Sequence, residues 1–270
     1  MKNLVLILST LFLFYILGCE NVKVISPDIN NQEYIIVRAE LKANLPFEGV
    51  TFTKSLPLDV NFDIKKAELK NVDAYLRVNG IQIITLHYLQ DGLYVPVSTL
   101  LIQPGATYEL FAEYNNSSIY SITKIPQPPR IISASIMDNW SIEVTVRPNE
   151  DEVYGAGWEI YNAGTENLLD ESKDFQTIVQ PDPNDPGSNL LVFTKVLPDK
   201  YISGNYNNLI YAQVYSFDSP YLNYFKTKNN NQPSENIFAQ GGDLVSWNVQ
   251  GDHVLGLFIG LAAVKYIKVN

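Results

Sequence analysis

Apolar and polar residues alternate with a period of two over most of the chain beyond residue 31, the spacing of strands that bury one face. Ile35, Val37, Ala39 and Leu41 fall on one side, with Tyr34, Ile36, Arg38 and Glu40 on the other. Val72, Ala74, Leu76 and Val78 alternate in the same way with Asp73, Tyr75, Arg77 and Asn79. Tyr108, Leu110, Ala112 and Tyr114 alternate with Thr107, Glu109, Phe111 and Glu113. The clearest run sets Trp140, Ile142, Val144 and Val146 against Ser141, Glu143, Thr145 and Arg147, which assigns Trp140 to the core. Further strands are predicted near Gly157–Tyr161, Leu190–Val196, Leu209–Phe217, Leu244–Val249 and Val254–Val269, with a short helix at Pro220–Lys228.

The punctuation fits hairpins. Asn79-Gly80 and Asp91-Gly92 stand between strand-like runs, where a two-residue type I′ turn needs positive φ at both positions. Ile125-Pro126-Gln127-Pro128-Pro129 reads as a stiff connector, because proline donates no ladder hydrogen bond and holds the preceding residue extended. The expected fold is all-β, with two β-sandwich-like domains of immunoglobulin or Greek-key type over residues 32–127 and 128–270. The apolar run Val254–Val264 is too short to cross a bilayer as a helix and is expected to be a buried closing strand.

The N-terminus breaks this pattern. Lys2 precedes an apolar stretch from Leu4 to Leu17, the layout of a secretion signal over residues 1–18. It ends in Ile16-Leu17-Gly18-Cys19, which resembles the lipobox of bacterial lipoproteins. Cys19 is the only cysteine in 270 residues, so disulfides play no part in the monomer, and lipidation accounts for a lone thiol in an exported chain. The expected modification is diacylglycerol with an N-acyl chain on Cys19, followed by a polar tether over residues 19–31. No other cofactor is implied.

Charge and composition narrow the chemistry further. Without Lys2 the mature form carries 18 basic against 29 acidic residues, a net charge of −11, which argues against nucleic-acid binding. His87 and His253 lack metal-like neighbours, and no Gly-x-Ser-x-Gly, phosphate-cradling loop or His-Glu-x-x-His is present. Neither catalytic residues nor a firm metal site is expected. Asp182, Asn184 and Asp185 place hard oxygens in a turn-rich loop and form a weak calcium candidate without EF-hand spacing. Glu150, Asp151 and Glu152 read as a solvated turn. Tyr206, Tyr221, Tyr224 and Phe225 lie in loop-like or helical segments and are the surface aromatics best suited to binding.

Several segments together resemble the domain of unknown function 4249 (DUF4249) family, exported lipoproteins of the phylum Bacteroidota. They are Cys19-Glu20 with the first strand Tyr34–Leu41, Asp91-Gly92-Leu93-Tyr94, Pro104–Leu110, Pro126–Pro129, Glu235-Asn236-Ile237 and Val254–Phe258. Glu235 stands where the family often has glycine, and Leu257 where an aromatic is frequent. The resemblance implies an outer-membrane lipoprotein facing the cell exterior, with acidic Glu20 after the lipidated cysteine as a sorting signal. It also implies a TonB-dependent transporter barrel as partner and a non-catalytic role in binding. The alternatives are an outer-membrane assembly factor and a hydrolase with an unrecognised carboxylate pair. Replacing Cys19 with serine should abolish palmitate labelling and leave the signal uncleaved by the lipoprotein peptidase; labelling that survives Cys19→Ser would refute the anchor.

Overall fold

The computed structural model describes residues 33–57, 60–202, 208–230 and 245–266; the expected signal peptide and tether, Cys19, Glu20 and Tyr206 lie outside these residues. The described chain is all-β. Its first half holds β1 (Ile35–Lys42), β2 (Val50–Lys54), β3 (Asp73–Val78), β4 (Gln82–Gln90), β5 (Leu93–Pro96), β6 (Thr107–Tyr114) and β7 (Ser117–Lys124), with one helical turn, α1 (Ile64–Ala67), after β2. The second half holds β8 (Arg130–Ile136), β9 (Ile142–Arg147), β10 (Glu152–Asn162), β11 (Leu168–Ser172), β12 (Leu190–Phe193), β13 (Asn208–Asp218) and the helix α2 (Pro220–Asn230). The closing strand β14 (Val254–Tyr266) follows.

Alternation in the sequence becomes alternation in burial. Val37, Leu41, Leu76 and Leu110 are inaccessible to solvent, and their sequence neighbours on the other face are not. The Asn79-Gly80 and Asp91-Gly92 turns form as expected, with φ of 51° and 71° in the first and 52° and 75° in the second. One large sheet runs β11-β10-β13-β14-β1-β2-β5-β4-β3-β6-β7, and a smaller one runs β12-β9-β8. The eight strands from β14 to β7 enclose the first core, which includes Phe52, Tyr94, Tyr108, Ile125 and Phe258. The second core is a sandwich filling: Ile142, Val144 and Val146 of β9 face Tyr154, Trp158 and Ile160 of β10 and Val214 of β13.

β14 belongs to both. Its first half lies parallel to β1, from Ile35 opposite Val254 to Lys42 opposite Leu261, and its second half is antiparallel to β13, from Phe217 opposite Leu261 to Ala212 opposite Tyr266. Val254 and Phe258 enter the first core, although sequence order groups them with the second half. Where β13 does not reach, side chains take over its hydrogen bonds. Asn248 Oδ1 accepts the Phe258 N–H at 2.9 Å and Asn248 Nδ2 donates to the Phe258 carbonyl at 2.6 Å. The Gly260 N–H donates to Thr123 Oγ1 at 2.8 Å. Such substitutes matter because a buried, unpaired backbone group costs about 1–3 kcal/mol.

The proline connector is pinned to the second half. Asp218, at the end of β13, accepts from Thr123 Oγ1 and the Lys124 N–H, and Glu152 accepts from the Gln127 N–H at 2.8 Å. Ser216 Oγ donates to the Gln127 carbonyl at 2.8 Å. Glu152 is only 8% exposed, which corrects the solvated-turn reading for that residue, while Glu150 and Asp151 form an exposed turn as expected. The register sets Glu152 directly opposite Asp218, so the first residue of β10 is drawn inward to hold the connector.

Two other expectations fail. Residues 245–249 form no strand; only Gln250 bridges, to Tyr120, because Asn248 is used through its side chain. Trp140 is not a core residue. It sits in the β8–β9 turn with φ +62° and is 46% exposed, and the inward run begins at Ile142. Asn139 Oδ1 accepts both the N–H and the hydroxyl of Ser141, which fixes the reversal one residue past Trp140. A left-handed conformation at such a bulky residue costs about 1–2 kcal/mol.

β1 and β14 approach closely at Gly256, where a Cβ would stand 2.3 Å from the Val37 carbonyl oxygen. Gly256→Ala should therefore force the two strands apart and destabilise the fold by about 2 kcal/mol. Gly187, with nothing within 4 Å of the corresponding position, should accept alanine without loss. Urea unfolding of the two variants decides the point; equal midpoints would show that the close approach is unimportant.

Candidate functional site

Two aromatic surfaces stand out. The first was anticipated in part. β13 ends at Asp218, whose carboxylate accepts the Ser219 N–H at 3.0 Å, and Pro220 then opens α2 at the first helical position, where its missing N–H costs nothing. The helix lays Tyr221, Leu222 and Phe225 toward Phe217 in a small third core. The Tyr221 ring stacks on Phe217 at 4.1 Å between centroids and lies 5.8 Å from Tyr224 and 6.4 Å from Phe225. Burial pushes the Tyr221 hydroxyl up to about 12, and burial likewise raises Tyr215. Beneath the helix, Gly155 leaves the space that Phe175 fills, since a Cβ there would lie 2.9 Å from the Phe175 ring.

Beside these rings a groove of about 670 Å³ is lined by Lys42, Lys173, Phe175, Tyr215, Tyr221 and Tyr224. Within it, Tyr224 lies 5.4 Å from Trp247, with the Lys228 ammonium 5.8 Å from its centroid. All three expected aromatics of this segment are partly buried: Tyr221 and Phe225 pack on the third core, and Tyr221 and Tyr224 line the groove. Tyr206 lies outside the described residues.

The second surface was not anticipated. On the outward side of β3, β6 and β7, Tyr75 stands opposite Phe111, which stands opposite Tyr120. Tyr75 and Phe111 stack at 5.0 Å with an interplanar angle of 11°, and Phe111 meets Tyr120 at 5.1 Å. The next row is a charged clamp. Arg77 Nε donates to Glu109 Oε2 at 2.7 Å and Arg77 Nη2 to Glu109 Oε1 at 2.5 Å, while the guanidinium carbon lies 4.7 Å from the centre of the Phe111 ring. The hydrogen bond from Arg77 holds the Glu109 carboxyl below its ordinary range, and Glu109 in turn raises Arg77. Tyr120 also donates to Glu109, at 3.3 Å. A cleft of about 890 Å³ borders this ladder, with Ile83, Thr85 and His87 of β4 on its far side. The signal was present in the alternation: Tyr75 and Phe111 occupy positions on the side that otherwise carries charge, where a solvated sheet face needs no aromatic.

The remaining candidates are placed as follows. Asp182 Oδ1 accepts the N–H of Asn184 at 2.8 Å and its side-chain amide at 3.1 Å, and the Asp185 N–H donates to the Asp182 carbonyl, so the loop turns on its own hydrogen bonds. Among the described residues no three His, Cys, Asp or Glu side chains converge as metal ligands. His253 lies in the turn before β14, edge-on to Tyr34 at 5.8 Å, and its carbonyl accepts the Ile35 N–H; His87 is exposed on β4. Among the described residues no helix is long and apolar enough to cross a membrane.

The packing difference on α2 is measurable. Tyr221→Ala should cost about 2–3 kcal/mol of stability because it removes the ring stacked on Phe217. Tyr224→Ala should cost less than about 1 kcal/mol. Chemical denaturation of both variants tests this, and the reverse ranking would move Tyr221 to the surface.

Comparison with known proteins adds a family. No functionally curated protein matches the sequence. Among solved structures, the FN1–FN3 domains of chicken CNTN1 are similar over 68% of this chain and 60% of that one, at 12% identity and a TM-score of 0.24. The chain thus spans less than two thirds of that protein's length. Residues 22–267 match the family described as domain of unknown function (DUF4249), a span that takes in every strand described above, and the chain belongs to that family.

Proposed function

We propose that this chain is an outer-membrane lipoprotein, anchored through Cys19 and facing the cell exterior, that contributes a binding surface and not catalysis beside a TonB-dependent transporter. The observation that carries the reading is the outward ladder Tyr75–Phe111–Tyr120 with its Arg77–Glu109 clamp. Aromatic residues and arginine supply much of the energy at protein interfaces, and a ladder locked by cross-strand stacking loses little side-chain entropy when it is covered. Anchoring suits such a surface. A lipid confines the protein to two dimensions, and a tether of about a dozen residues over Glu20–Asn31 reaches roughly 20 Å as a random coil. A modest interface is then well occupied.

Tyr75 and Phe111 lie outside the cores, so their replacement tests binding without removing the fold. Tyr75→Ala/Phe111→Ala should cost about 1–2 kcal/mol of stability through lost cross-strand pairs. It should also lower recovery of a barrel partner from gently solubilised, crosslinked outer membranes by about tenfold. If the native chain is recovered only free, or if the double variant recovers as much barrel as the native chain, the docking role is wrong.

A further inference from the structure

The smaller sheet ends at β8, and no strand lies beside its outer edge among the described residues. Natural proteins usually blunt such an edge, because its unpaired N–H and C=O groups invite another strand. Here the edge carries apolar side chains instead. Ile132 is 51% exposed, pushed out by a bulge between Ile131 and Ser133, and Met137 is 39% exposed where the strand turns.

The charges along the edge are polarised. At its start Arg130 stands directly opposite Arg147, both exposed, and neither forms an ion pair among the described residues. Like charges facing each other across a ladder repel. At its other end Ser135 stands opposite Glu143, and Asp138 follows in the turn. One end is basic and the other acidic. A second copy laid antiparallel on this edge reverses that order, so each basic end meets an acidic one.

We propose that β8 is the interface of a symmetric homodimer, with the β8 strands of two copies paired antiparallel about a two-fold axis at Ser135. This pairing sets Ser133 of one copy opposite Met137 of the other and brings the Arg130 end of one copy to the Asp138–Asn139 turn of the other, with Ile132 and Met137 along the seam. It joins two three-stranded sheets into one of six. The interface is self-complementary, as a two-fold contact requires, and uses strand addition, in which main-chain bonds give affinity and side chains give register. It is independent of the transporter-docking role.

Because Cys19 is the only native cysteine, thiol crosslinking in the full chain reads this geometry directly. Ser135→Cys, exposed and beside the proposed axis, should give a disulfide dimer in intact cells under mild oxidation. Thr165→Cys, in the exposed turn between β10 and β11, should give at least about fivefold less. Adding Arg130→Glu to Ser135→Cys should cut the dimer by about fivefold, and adding Asp138→Lys as well should restore it to within about twofold, because exchanging the two charges re-forms the pairs. The proposal is overturned if Ser135→Cys crosslinks no better than Thr165→Cys, if its adduct contains a different protein, or if the charge exchange fails to restore what Arg130→Glu removed.

Discussion

The parallel pairing of β1 with β14 is the contact on which the rest depends. Parallel neighbours need a long connection, and here it is most of the protein: Ile35 lies opposite Val254. Until β14 arrives, β1 is an open edge and the first core lacks Val254 and Phe258. The same strand then offers its second half to β13 and so extends the sheet into the second core. Such long-range contacts form late, because loop-closure entropy must be overcome before they contribute. Gly256 and Gly260 permit the approach, with the Val37 and Lys124 carbonyl oxygens at 2.3 and 2.8 Å from where their Cβ atoms would stand.

Around this strand, polar side chains do work that backbone does elsewhere. Asn248 serves Phe258, Thr123 serves Gly260, and Asp218 and Glu152 serve the connector. Burial raises the Asp218 carboxyl, and the donors at Thr123, Lys124 and Ser219 offset that penalty by favouring its charged form. Glu152 and Asp218, opposite each other in the register, are thus engaged in holding the halves together. The connector is held by hydrogen bonds at Ile125 and Gln127.

The outward surfaces follow a different rule. Tyr75, Phe111 and Tyr120 stack across strands, and Arg77 is held over Phe111 by Glu109, so the face is ordered before anything covers it. On α2, Tyr221 stacks on Phe217 of the sheet, and with Tyr224 it also lines the groove. At the β8 edge, exposed Ile132 and Met137 line the side of the strand that no other strand covers among the described residues.

Local pattern determined the strand class, the inward faces of β1, β3, β6 and β9, the two type I′ turns, the α2 segment and the burial of the closing strand, because each depends on a period of two or on one turn's backbone. Pattern could not say which strands are neighbours. It misplaced Trp140, since alternation continues on paper through a turn that Asn139 reverses in space. It took Glu152 for a solvated residue, since the connector that needs its carboxylate is distant in sequence. It counted Tyr221 with Tyr224, since only the sheet beneath the helix separates them. It passed over the Tyr75–Phe111–Tyr120 ladder, whose members become neighbours through registers that no single strand contains. What one segment's periodicity settles, the sequence determined; what needs two segments side by side, only the tertiary structure decided, because strand pairing and register are properties of the pair.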